Sequence, residues 1–75
     1  MNKNTIEIIS QILQISHEDV RKNSKYLPEI PAYYCWNPIR GGNALVINEQ
    51  GEKLIATSAV DSESHIKAFI EGKRN

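Results

Sequence analysis

Cysteine occurs once in this chain, at Cys35, so no intramolecular disulfide can form. A lone thiol suits a reducing compartment. Histidine occurs only at His17 and His65, far apart in sequence. A structural zinc site wants four ligands, mostly Cys and His at short spacings, so no metal is expected. Net charge is absent too: nine basic and nine acidic residues give +0. Such a balance creates no field to steer the chain onto nucleic acid or an anionic membrane. No apolar run approaches the roughly 20 residues of a membrane span. The first residues lack the charged, then apolar, then small pattern of a secretory signal. The expected location is therefore the cytoplasm, with no membrane contact. The abundance of Ile, Asn and Lys suits an AT-rich bacterial or phage genome. Repeats, low-complexity tracts and internal linkers are missing as well.

What is present is a short chain with a sizeable apolar fraction. Its 75 residues suit one domain, residues 1–75, and its 40% hydrophobic content is too high for a disordered chain. A domain of this size buries only about 60% of the surface its unfolded form exposes. Its core rarely contributes more than about 3–5 kcal/mol net. With no disulfide and no metal expected, oligomerisation is the supplement left open, though many domains of this length fold alone.

The organising stretch is residues 33–60. We read it as three short antiparallel strands, over residues 32–37, 43–48 and 53–59. A glycine-containing loop joins the first two. Asn48-Glu49-Gln50-Gly51-Glu52 joins the last two, with Gly51 where a hairpin turn needs positive φ. Before the sheet, Ile6, Ile8, Ile9, Ile12, Leu13 and Ile15 form one broad apolar face of a helix, capped by Asn4 or Thr5. Its β-branched residues weaken intrinsic propensity, so it needs tertiary packing. Ser16-His17-Glu18-Asp19 has the form of a second cap and acidic first turn, which predicts a helix over 17–26. A single helix running on from Thr5 is the alternative. Pro28 and Pro31 end any helix and predict an extended link over 27–32. After the sheet, Asp61 or Ser62 caps a last helix carrying Ile66, Phe69 and Ile70 on one side, with Gly72 placed to end it. The expected fold is α+β: a three-stranded antiparallel meander packed with an N-terminal helical segment, of one or two helices, and a C-terminal helix.

One feature of the sheet is unusual. Successive strand residues point to opposite faces. Tyr33 and Cys35 share one face, and Tyr34 and Trp36 the other. Leu45 and Ile47 oppose Ala44 and Val46, and Leu54 and Ala56 oppose Ile55 and Thr57. Neither face is polar, whereas an antiparallel sheet with one solvated face alternates. Two coverings are open. The first and last helices can take opposite faces. Alternatively all helices take one face, and a second copy or a protein partner takes the other. In the second case Tyr34 and Trp36 are the anchors, since Tyr and Trp dominate binding hot spots. If both are core, the hydroxyl and indole N–H need polar partners.

The loop string Asn37-Pro38-Ile39-Arg40-Gly41-Gly42-Asn43 is the other candidate site. Adjacent glycines let successive N–H groups cup an anion, and Arg40 adds a bidentate fork for carboxylate or phosphate. The plain alternative is a loop that needs glycine for a sharp bend. The Gly-Lys-Ser/Thr ending of a P-loop is missing, and no third glycine leads into a helix, so no nucleotide cofactor is expected. Cys35 with His65 lacks a third group to orient a nucleophile and base. A lone cysteine in an apolar strand is ordinarily a small buried hydrophobe. His65, beside the last helix's apolar stripe, is expected half-buried or at the surface. Asp61, Glu63 and Glu71 have the spacing of solvated helix residues rather than a catalytic carboxylate pair.

These observations favour a small non-enzymatic interaction module. It self-associates, as a homodimer, or binds a protein partner through an apolar and aromatic sheet face. Tyr34, Trp36, Arg40, Gly41, Gly42 and Asn43 are its candidate binding residues. The alternative is a regulatory or ligand-binding domain for a small phosphate- or carboxylate-bearing molecule at Arg40-Gly41-Gly42. A third reading, a weak single-stranded nucleic-acid binder, would use Arg40, Lys53, Lys73 and Arg74 with the two aromatics, against the zero net charge.

Overall fold

A computed structural model describes residues 1–38, 42–57 and 59–75. The chain runs α1 (Lys3–Leu13), α2 (His17–Lys22), β1 (Ser24–Leu27), β2 (Ala32–Trp36), β3 (Asn43–Asn48), β4 (Lys53–Thr57) and α3 (Ser62–Ile70). The class is α+β, but the sheet has four strands, not three, in the order β1-β2-β3-β4 with every pair antiparallel.

The N-terminal helices form where the apolar spacing puts them, with different ends. Asn2, not Asn4 or Thr5, caps α1: its Oδ1 accepts the Thr5 N–H at 2.8 Å. Gln14 then turns left-handed at φ 56, the sole non-glycine with positive φ among the described residues. The chain breaks there, so residues 3–22 are two helices and not one. Ser16 Oγ accepts the Asp19 N–H at 3.1 Å and starts α2. Glu18 and Asp19 sit in its first turn and Arg21 and Lys22 in its last, each on the favourable end of the helix dipole.

α2 stops at Lys22, and this corrects the helix expected over 17–26. Asn23 caps it, and residues 24–27 extend to pair with β2. Residues 28–31 are correspondingly a turn between two strands, not an extended link. The prolines end no helix, since α2 has already stopped at Lys22; they lie in the turn that returns the chain on itself. Leu27 pairs with Ala32 across that turn, and the Ile30 N–H reaches the Leu27 carbonyl at 3.3 Å. The local signal for this strand is short, and its ladder exists only once β2 is beside it.

The β3–β4 hairpin has the expected turn, with Gly51 at φ 86. The Glu52 N–H donates to Asn48 Oδ1 at 2.9 Å, and Asn48 Nδ2 donates to Glu52 Oε1 at 2.9 Å. β4 ends at Thr57, and Ala59 already lies in a turn. Asp61 caps α3, and Gly72 follows the helix at φ 100.

Helices cover both sheet faces. On one face, Ile6, Ile9, Leu13, Ile15 and Val20 pack on Cys35, Leu45 and Ile47. On the other, Phe69 packs on Ala32, Tyr34, Ala44 and Val46, with Leu27, Ile30, Leu54 and Ile66 at the margin. Burying each large aliphatic or aromatic side chain stabilises the fold by about 1.5–3 kcal/mol. Of the α3 stripe, Phe69 is buried while Ile70 is exposed. Arg74 completes the cover, its guanidinium 3.6 Å from the Phe69 ring centre. No helix among the described residues is long and apolar enough to cross a membrane.

A left-handed Gln14 carries a steric cost that glycine avoids, about 1–2 kcal/mol per residue. Gln14→Gly should therefore stabilise the chain by up to about 1 kcal/mol after the added unfolded-state freedom of glycine. Urea unfolding with an unchanged slope checks this.

Candidate interaction surface

The site residues begin on β2, where period-two alternation puts Tyr34 and Trp36 on the α3 face. Tyr34 is buried, at 8% exposure, whereas Trp36 keeps 38%. The two rings stack, with centroids 6.0 Å apart and planes 30° from parallel. Trp36 pairs with Ala44 across the ladder, and Ala44 with Ala56. These small side chains set no bulk beside the indole. α3 packs over β3 and β4, and the end of β2 bearing Trp36 stays open. Tyr34 is thus the floor of an aromatic step, and Trp36 its exposed tread. Burial pushes the Tyr34 hydroxyl pKa up, helped by charge on Cys35 and Asp61.

His65 stands edge-on to Tyr34, ring centroids 5.6 Å apart. It is 1% exposed, not half-buried or surface as its place beside the helix stripe suggested. Its Nε2 lies 2.7 Å from the Leu54 carbonyl, which only accepts, so Nε2 carries the proton. Nδ1 is buried without a partner among the described residues. Cys35 lies on the opposite sheet face, at 0% exposure, its Sγ 4.0 Å from the Val20 carbonyl. The sheet therefore separates the thiol from the imidazole. His17 is elsewhere again, 2.8 Å from Glu7. No cluster of metal-ligating side chains occurs among the described residues. Asp61 caps α3, and the backbone N–H and hydroxyl of Ser64 hold its carboxyl below the usual range.

Of the loop, Arg40 and Gly41 lie outside the described residues. Asn37 and Asn43 close its base, with the Asn37 N–H donating to the Asn43 carbonyl at 3.1 Å. Asn37 Nδ2 donates to the Leu13 carbonyl at 3.0 Å, tying the loop to the end of α1. A Cβ on Gly42 would stand 2.6 Å from Asn37 Cγ. Close approach to Asn37 therefore accounts for glycine at this position. Gly42 and the exposed Asn43 line a shallow polar cleft with Leu13 and Gln14. That cleft lies at the carbonyl end of α1, where the helix dipole opposes an anion.

Two features escaped the sequence. The first is Tyr26, 49% exposed on the new strand β1. It stands beside half-buried Tyr33, centroids 5.1 Å apart. The signal was there in Lys25-Tyr26-Leu27 between Asn23-Ser24 and Pro28, a short strand with breakers on both sides. The second is the unequal treatment of the two sheet edges. On β4, Asn75 Oδ1 accepts the Ile55 N–H at 2.9 Å, its Nδ2 donates to the Ile55 carbonyl at 3.1 Å, and its N–H donates to the Lys53 carbonyl at 3.0 Å. The Val60 N–H donates to the Thr57 carbonyl at 3.1 Å. One side chain and two backbone groups thus close that edge. On β1, the Trp36 N–H donates to the Asn23 carbonyl at 3.0 Å, which sets the ladder parity. Lys25 and Leu27 therefore face β2, and the amides of Ser24 and Tyr26 face outward.

Compared with protein-family models, curated proteins and solved structures, the chain matches none of them.

Two predictions follow from this geometry. Burial pushes the Cys35 thiol up to about 12 from the usual 9.0. The native state keeps a proton that the unfolded chain releases near its ordinary value. The stabilisation is therefore whole below about pH 9 and is lost as pH rises toward about 12. Urea titrations across that window should show a steeper loss for wild type than for Cys35→Ala. Separately, Gly42→Ala should cost about 1–3 kcal/mol, because the new methyl displaces Asn37 and leaves the Leu13 carbonyl without that donor. Asn37→Ala in the same background should then cost little more.

Proposed function

We propose that the chain is a non-enzymatic protein-interaction module, which self-associates or binds a protein partner through its aromatic sheet surface. The observation that carries this is Trp36, held open at 38% exposure and stacked on buried Tyr34. A rigid aromatic on a core-anchored support loses little entropy on binding and presents a large apolar area, as hot-spot residues do. With a helix over each face, the sheet does not need a second chain to cover its core. Association therefore uses the margin that α3 leaves open, not a bare face. The acidic-ligand alternative draws no comparable support, because the cleft beside Gly42 lies at the C-terminal end of α1, where the helix dipole opposes an anion.

Trp36→Ala is the test. A half-exposed Trp contributes less than a core one, so the variant should keep its native spectrum and lose no more than about 2 kcal/mol. Light scattering over rising protein concentrations should show a mass increase for wild type that the variant lacks. If wild type stays monomeric, a bound protein partner should be retained by wild type and released by the variant. A variant that unfolds would place Trp36 in the core and remove the reading. A folded variant that keeps every association removes it too.

A further inference from the structure

Resting on that interaction reading, we propose that the β1 edge takes an extended acidic segment of a partner protein as a fifth strand. The outward amides of Ser24 and Tyr26 are the template. Neither has a hydrogen-bond partner on that side among the described residues. An open edge is a liability that folded proteins ordinarily cover. Here the β4 edge is closed by Asn75, while the β1 edge has no partner among the described residues.

The charge around the edge selects the occupant. Lys25 and Arg21 are exposed, and neither forms an ion pair among the described residues. Both line a groove along the edge with Met1, Ile6, Tyr26 and Tyr33. A docked strand has its own parity. Residues opposite Ser24 and Tyr26 share their face and meet the aromatic groove. The residue between them lies opposite Lys25, on the other face, at the close spacing of a non-hydrogen-bonded pair. The matching segment therefore reads apolar, acidic, apolar.

A second copy of β1 fits poorly. Outward residues must pair with outward residues, which leaves three two-fold registers. Ser24 opposite Tyr26 sets Lys25 against Lys25, a like-charge pair. Tyr26 opposite Tyr26 sets Ser24 against Pro28, which has no N–H. Ser24 opposite Ser24 runs Tyr26 into Lys22, which is already helical. Lysine and proline on an edge strand are the usual devices against self-pairing.

The probe is a blocked peptide with a Val-Glu-Val core, added to the isotopically labelled full chain. The Ser24 and Tyr26 amide signals should shift and their exchange with solvent should slow. A Val-Lys-Val peptide should bind at least about fivefold more weakly, as an attractive cross-strand pair becomes a repulsive one. Lys25→Glu, an exposed change that leaves the fold intact, should reverse this preference. N-methylation of both valines should abolish binding. Ser24 and Tyr26 amides unmoved at millimolar peptide, or equal binding of the N-methylated peptide, overturns the proposal. Shifts centred on the Trp36 indole with those amides unmoved also overturn it, while leaving the interaction reading standing. Amide protection that grows with chain concentration alone, together with a doubled mass, assigns the edge to a second copy and overturns it as well.

Discussion

The constraint on which this structure depends is the burial of β3 on both faces. Ala44, Leu45, Val46 and Ile47 are consecutive and all buried. A strand that is apolar on both faces cannot sit at a solvated surface, so it must have a layer above and a layer below. With 75 residues the chain has only short helices for this task. It divides them, α1 and α2 to one face and α3 to the other. The break at Gln14 serves the same end, since it folds α2 back beside α1 and brings Ile15 and Val20 into the first layer.

The same division separates groups that might otherwise do chemistry together. Cys35 and His65 are both buried and both reactive in kind, but β2 presents one to the α1 side and α3 carries the other on the opposite face. Their burial is explained by packing: the thiol lies in the core cluster beside Val20, and the imidazole donates to the Leu54 carbonyl.

The layers do not reach everywhere. α3 lies over β3 and β4, and the closed edge is also on β4, where Asn75 and Val60 bond its outward groups. The opposite side of the sheet keeps an exposed Trp36 on one face, an exposed Tyr26 on the other, and open backbone between them. Among the described residues, exposed aromatics, cations without an ion pair and an unpaired edge thus converge on β1 and the end of β2.

The sequence by itself determined the class, the β3–β4 hairpin, the helical periods and the cap at Ser16, and narrowed the last cap to Asp61 or Ser62, because each is written in local signals: alternation, 3.6-residue spacing, a turn glycine, a short side-chain acceptor. It also showed that neither sheet face is polar, and left open how each was covered. Tertiary structure decided the rest. Segment 24–27 became a strand because β2 lay beside it, Tyr34 became core while Trp36 stayed open because α3 stops short of the latter, and Gly42 was required by the approach of Asn37. Each outcome depends on partners distant in sequence, whose positions no local preference specifies.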